Sequence, residues 1–192
     1  REIVYIPMSA GLSASCATAQ VLAEDFEGRV QVVDNRRISV TQRHSVLDAL
    51  ALARQGLDAA ETKRILEEQA MDACIYITVD TLKYLRKGGR VTGVEAVAGT
   101  MLNIKPVLHV DDAGHLIPME KVRGRKASLD ALVAHMEKDA VDPASQTVFI
   151  SHGDCRADAE YVADLVREKF GTQDIRIHSI GPVIGSHSGP GT

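Results

Sequence analysis

Three segments of this sequence carry residue types suited to holding an anion, and they lie far apart in the chain. The first is Ser9-Ala10-Gly11-Leu12-Ser13-Ala14-Ser15, with three hydroxyls in seven residues around a glycine. Hydroxyls donate hydrogen bonds to an anion, and a turn leading into a helix adds free backbone N–H groups and the positive end of the helix dipole. The plainer alternative is that one serine caps the helix and the others are filler.

The second segment is Gly181-Pro182-Val183-Ile184-Gly185-Ser186-His187-Ser188-Gly189-Pro190-Gly191-Thr192. Glycine lets the backbone approach a ligand and proline stiffens the loop. An imidazole such as His187 donates to a carboxylate and titrates near neutral pH. An exposed histidine in a plain loop is the alternative.

The third is basic, Lys121-Val122-Arg123-Gly124-Arg125-Lys126, with Arg86-Lys87-Gly88-Gly89-Arg90 of the same character. Guanidinium groups suit carboxylates, phosphates and partner proteins. A solvated helix start is the alternative, although positive charge opposes the dipole there.

Catalysis is the competing chemistry. Gly11-Leu12-Ser13-Ala14-Ser15 has the first glycine and the serine of the G-x-S-x-G hydrolase elbow and lacks its second glycine. A hydrolase acting on an acyl ester through Ser13 or Ser9 would also need a histidine and a carboxylate. Ser151-His152-Gly153-Asp154-Cys155 offers His152 and Asp154 as a catalytic or metal pair. No further spacing completes a metal site, and Asp154 reads better as the N-cap of a helix from Ala157.

The elements that must position these groups follow from periodicity. Ile3 to Met8 and Val30 to Val33 read as buried strands. Ala14 to Phe26, with apolar Ala17, Val21, Leu22 and Phe26, reads as a helix, as do Ser45 to Gln55 and Ala59 to Met71. That alternation predicts parallel strands with crossover helices. The pattern resets near residues 71–73. Strands are expected at Cys74 to Val79, Lys105 to Val110, His115 to Val122, Thr147 to Ser151 and Asp174 to Ile180. Asp111-Asp112-Ala113-Gly114 makes a hairpin of the second and third of these. Helices are expected at Thr81 to Arg86, Val91 to Thr100, Lys126 to Met136 and Ala157 to Phe170, and the tail from Gly181 reads as loop. The expected fold is therefore two α/β domains: 1–72 with a parallel sheet, and 73–192 with a mixed sheet, a hairpin and flanking helices.

Composition narrows the function. A net charge of −4 with no long basic run argues against nucleic acid. Three scattered cysteines with no CxxC pair argue against a disulfide framework and against zinc, and fit a reducing cytoplasm. No apolar run approaches the length of a membrane span. Arg1-Glu2 leads straight into a strand, so no signal peptide is expected, and the start reads as that of a fragment.

Several of these segments together resemble the DegV family. They are Met8-Ser9-Ala10-Gly11-Leu12-Ser13, Val33-Asp34, Val79-Asp80-Thr81-Leu82-Lys83-Tyr84-Leu85-Arg86-Lys87-Gly88-Gly89-Arg90, Leu102-Asn103-Ile104-Lys105-Pro106, Lys121 to Lys126, His152-Gly153-Asp154, and Ile180 to Gly191. The motifs run in order along residues 1–192. The resemblance implies a bacterial two-domain α/β protein that binds one long-chain fatty acid in an apolar tunnel, with its carboxylate near the domain interface. It further implies the binding subunit of a fatty acid kinase, presenting the carboxylate for phosphorylation and hydrolysing nothing itself. No cofactor is implied beyond the bound fatty acid, and membrane contact would be transient. By the same resemblance Ser9, Ser13 and His187 contact the carboxylate, and Arg90, Arg123 and Arg125 face the kinase subunit. The chain departs from the family where S-S-x-L-S-G-T-Y becomes Ser9-Ala10-Gly11-Leu12-Ser13-Ala14-Ser15-Cys16. The family's earlier segment, with an acidic-Ser-Thr strand and a head-group threonine, has no counterpart in this sequence. The first domain is therefore expected to be incomplete.

Overall fold

Strand-forming β-branched runs and helix-forming runs alternate along the chain. The computed structural model describes residues 1–91 and 103–192. They fall into two units, Arg1–Cys74 with Val110–His115, and Ile75–His109 with Leu116–Thr192. The helix expected at Val91 to Thr100 lies, apart from residue 91, outside the described residues.

In the first unit β1 (Ile3–Tyr5) pairs in parallel with β2 (Val30–Val32), in the register Ile3↔Val30 and Tyr5↔Val32. The crossover is α1 (Ser15–Ala23), followed by a single 3-10 turn at Glu24–Phe26. The helix α2 (Val40–Arg54) and the helix α3 (Ala59–Glu68) follow. The start of α3 is fixed by a capping box. Asp58 accepts from the Glu61 N–H at 2.8 Å, and Glu61 accepts from the Asp58 N–H at 3.2 Å. Cys16, Val32, Val33, Leu66 and Ala70 are buried. Of the apolar positions along the first helix, Val21, Leu22 and Phe26 are 66%, 58% and 46% exposed, and α1 turns Cys16 inward. Cys16 is the one buried residue of α1.

In the second unit β3 (Tyr76–Thr78) pairs antiparallel with β4 (Ile104–Val110), which adjoins β5 (Leu116–Arg123). Thr78 and Val107, buried and register partners, hold this sheet's centre. A short helix, α4 (Lys83–Gly88), ends at Gly89 in the left-handed region, φ 66°. The helix α5 (Arg125–Asp139), β6 (Val148–His152), α6 (Arg156–Phe170) and β7 (Ile175–Ser179) complete a parallel α/β pair. Leu129 and Val133 of α5 meet Val162 and Val166 of α6, with Val148, Ile150 and Ile175 from the strands beside them. The spacing 129/133 and 162/166 is the i, i+4 stripe of a core-facing helix.

Two expectations for this unit are corrected. The Gly/Pro tail is not loop throughout, because Pro182–Ser188 forms α7. Pro182 stands in the first turn, where its missing N–H costs nothing, and that outweighs Gly185 inside the helix. Asp154 does not cap α6: Cys155 occupies the cap position without a side-chain bond, and Asp154 is itself left-handed, φ 57°. The overall class is mixed α/β, with parallel and antiparallel sheets flanked by helices.

Candidate functional site

The serine turn lies beyond the carboxyl end of β1, where open α/β sheets bind ligands. It is held from two directions. The Asp34 carboxylate, just past β2, accepts from the N–H groups of Ala10 and Arg36, each at 3.2 Å. That accounts for the Val33-Asp34 motif. The hairpin turn supplies the second restraint: the Ser9 hydroxyl donates to the Gly114 carbonyl at 2.9 Å and accepts from the Gly11 N–H at 3.2 Å. Gly114 must be glycine, because its φ is 80° and a Cβ there would overlap the Ser9 hydroxyl.

The two serines differ in what they can do. Ser9 is completely buried, and its only proton is committed to Gly114. Ser13 is half-buried; its hydroxyl shares a 2.6 Å bond with Ser15 and accepts from the Ser15 N–H at 3.3 Å. Neither serine has a histidine partner within the first unit among the described residues. His44 instead lies beside Asp48, and His115 beside Asp111. A nucleophile would need such a base.

The loop after β2 contains a residue that sequence reasoning missed. Arg37 is only 4% exposed. Its Nη1 donates to the Arg36 carbonyl at 3.2 Å and its Nη2 to Met71 Sδ at 3.4 Å, while Nε has no partner among the described residues. Asn35, fully buried, accepts from the Arg37 N–H at 3.0 Å. Burial lowers the Arg37 pKa from its ordinary value. No sequence signal separated Arg37 from its half-buried neighbour Arg36.

In the second unit the histidine loop is braced by α4. Tyr84 and Gly88 lie four residues apart in α4, and Asp80 lies in the bend that precedes it. Each meets the C-terminal segment. A Cβ on Gly88 would overlap His187 Nδ1, one on Gly189 would overlap the Tyr84 ring, and one on Gly191 would sit 2.8 Å from Asp80 Cβ. The T-L-K-Y-L-R-K-G-G-R and G-P-V-I-G-S-H-S-G-P-G motifs are therefore two halves of one contact. His187 is half-buried, and the neighbouring Ser188 hydroxyl is buried without a partner among the described residues. Lys105 pairs with the Asp80 carboxylate and also donates to the Asp80 carbonyl at 3.0 Å.

The three arginines of the basic segments differ. Arg90 and Arg123 are exposed, and Arg90 donates to the Gly88 carbonyl at 2.6 Å. Arg125 is half-buried, pairs with Asp158 at 2.7 Å and reaches Cys155 Sγ at 3.7 Å. The first turn of α5 thus carries a cation because Asp158, in the first turn of α6, neutralises it. His152 is buried, and its Nδ1 accepts from the Cys155 N–H at 3.4 Å, so it closes the turn before α6. Burial raises the pKa of Cys155 and of Cys16. Among the described residues no group of three or more His, Cys, Asp or Glu side chains could hold a metal ion. No helix there is long and apolar enough to cross a membrane.

Ser9 and Ser13 thus belong to the first unit, and His187 and the three arginines to the second. The serine turn follows β1 and His187 lies in α7, which follows β7, and the fold around them is mixed α/β. The chain belongs to the DegV family: the model described as "Uncharacterised protein, DegV family" matches residues 1–192. A DegV domain-containing protein of Clostridium perfringens (strain 13 / Type A) is 39% identical over 196 residues, covering 100% of this chain and 67% of that one. Among solved structures, a fatty acid binding DegV family protein from Streptococcus agalactiae superposes with a TM-score of 0.87 at 28% identity, covering 99% of this chain and 68% of the other. A DegV family protein from Ruminococcus gnavus ATCC 29149, refined with vaccenic acid, gives 0.88 at 26% identity, covering 99% and 69%. The chain spans about two-thirds of the length of these relatives.

Proposed function

We propose that this protein binds a long-chain fatty acid, with Ser9, Ser13 and His187 at its carboxylate near the interface of two domains, 1–72 and 73–192. The likeness along nearly the whole chain to a fatty acid binding DegV protein carries this reading. The local chemistry supports it. A buried carboxylate needs donors, because an unpaired buried charge is costly. The Ser13 hydroxyl and the His187 imidazole can supply them. Each buried CH₂ of the acyl chain adds about 0.8 kcal/mol, so tight binding needs no catalytic group. Binding, not ester hydrolysis, is the activity, since the Ser9 proton is bonded to a carbonyl and Ser13 to another serine.

We further propose that the bound carboxylate is presented, in the cytoplasm, to a kinase subunit. There a carboxylate oxygen would attack the γ-phosphorus of ATP, ADP would leave, and an acyl phosphate would form. Arg90, Arg123 and Arg125 are the proposed docking residues, with Arg90 and Arg123 the more accessible.

Native mass spectrometry of the purified protein tests the binding reading. A mass excess of one fatty acid is expected, lost on delipidation and regained on adding a palmitate-class lipid. Protein that neither carries nor takes up such a lipid would overturn the reading. Stoichiometric labelling of Ser9 or Ser13 by a fluorophosphonate would favour a hydrolase instead.

A further inference from the structure

The Arg37 guanidinium is a buried cation that makes no ion pair among the described residues, and the weak pull of Cys74 and Asp112 does not offset its burial. It is 4% exposed, and none of the ion pairs among the described residues includes it. Its two terminal nitrogens rest on neutral acceptors, a carbonyl and a thioether, and its Nε on nothing among the described residues. A thioether is a weak acceptor. Lysine or histidine in this position could shed a proton, but arginine stays charged in proteins. A buried charge left this way is expensive, whereas an apolar side chain of similar volume would cost nothing comparable.

The surroundings point the same way. Arg37 follows β2, on the same carboxyl-end side of the parallel pair as the serine turn, and its carbonyl accepts from the Ser9 N–H at 3.0 Å. The loop is shaped by two non-glycine residues in left-handed backbone, Arg36 at φ 49° and Ser39 at φ 61°. Strain of this kind persists where the surrounding structure enforces it, and it gathers at ligand sites. The fully buried Asn35 fixes the Arg37 backbone through its side-chain oxygen, and its side-chain nitrogen donates to Ser45 at 3.3 Å.

We propose that Arg37 is the counter-charge for the ligand's carboxylate. This rests on the fatty acid reading above and adds to it a residue outside the serine and histidine segments. The hydroxyls and the imidazole then orient the head group, while Arg37 makes the site select an acid over an uncharged lipid of the same length.

The test compares a saturated long-chain fatty acid with the alcohol of equal length, at pH 8.5, where an ordinary imidazole is neutral. Wild-type protein is expected to prefer the acid by roughly tenfold or more, the strength of one charge-assisted hydrogen bond. Arg37→Met should bring that preference to within about twofold, and Arg37→Lys should restore part of it, because a charge without the fork geometry remains. Delipidated Arg37→Met protein should melt no lower than wild type, since it loses an uncompensated charge. A variant-free measurement runs alongside, the titration of a carboxyl-¹³C fatty acid bound to wild type, expected below the free acid's pKa. Wild type that binds acid and alcohol equally, or a bound carboxyl that titrates at or above the free value, overturns the proposal and leaves the lipid reading standing. An unchanged acid preference in Arg37→Met overturns it in the same way. Failure of wild type to bind either lipid sinks both readings.

Discussion

His187 rests directly on Gly88: the imidazole Nδ1 occupies the space that a Cβ at residue 88 would need. The histidine's position is therefore set by the absence of a side chain 99 residues earlier in the sequence. Gly88→Ala should push the ring away and weaken fatty acid retention as much as His187→Ala does, with overpacking costing about 1–3 kcal/mol of stability. The double variant Gly88→Ala/His187→Ala should recover that stability, because the clash goes with the ring. Thermal melts and lipid uptake across this cycle check the point; strictly additive losses would mean the two residues are not coupled.

Ser9 and Ser13 should separate by readout. Ser9→Ala breaks the bond to the Gly114 carbonyl and leaves the Gly11 N–H short of an acceptor, in a fully buried place. A stability loss of about 1–3 kcal/mol is expected. Ser13→Ala removes a hydroxyl bonded near the surface and should cost well under about 1 kcal/mol. If Ser13 serves the ligand, its variant loses fatty acid affinity while its denaturant midpoint stays put. Equal losses of stability in both would return Ser13 to a purely structural place.

Charge reversal at the arginines should split them in the same way. Arg123→Glu and Arg90→Glu lie at exposed positions and should shift stability by no more than about 0.5 kcal/mol. Arg125→Glu sets a carboxylate against Asp158 and should destabilise measurably. Slower acyl-phosphate formation in the first two, with lipid still bound, is the outcome expected of a docking surface. A drop in lipid binding would place them in the pocket instead.

Alkaline conditions should weaken the fold through its thiols. Burial raises the pKa of Cys16 and Cys155, so the folded chain holds these protons after the unfolded chain has released them. Their contribution is complete below the unfolded thiol value of about 8.5 and is lost as the pH climbs from there through the folded values. Denaturant midpoints from pH 7 to 10 should fall over that window, and less steeply in Cys16→Ala. Iodoacetamide at pH 8 should reach exposed Cys74 first. Early labelling of Cys16 would contradict its burial.

Much of this fold was legible from periodicity. The β1/β2 parallel pair, the hairpin around Asp111 to Gly114 and the α5/α6 stripes all come from apolar residues recurring at strand or helix spacing. What escaped was decided by contacts between distant residues. Beyond Pro182, nothing local in Gly181 to Gly191 announces a helix, and α7 forms where Gly88 leaves room for His187. The exposure of Val21 and Leu22 was hidden because an apolar residue looks the same in sequence whichever way it points. At the candidate site, the serine turn and the histidine loop were visible as motifs. Arg37 was not, because burial of a cation beside a carbonyl and a thioether has no sequence signature.

The bond from Ser9 to Gly114 spans 105 residues. It bears on how the chain is made. During synthesis, residues 1–74 leave the ribosome well before the 110–115 turn that groups with them. Until that turn arrives the Ser9 hydroxyl has no carbonyl to meet, and the serine turn lacks one of its two restraints. Closing so long a loop carries an entropic penalty, and long-range contacts slow folding. The first unit should therefore mature late, after the β4–β5 hairpin has formed, leaving the nascent intermediate open to chaperones and to aggregation in the interval.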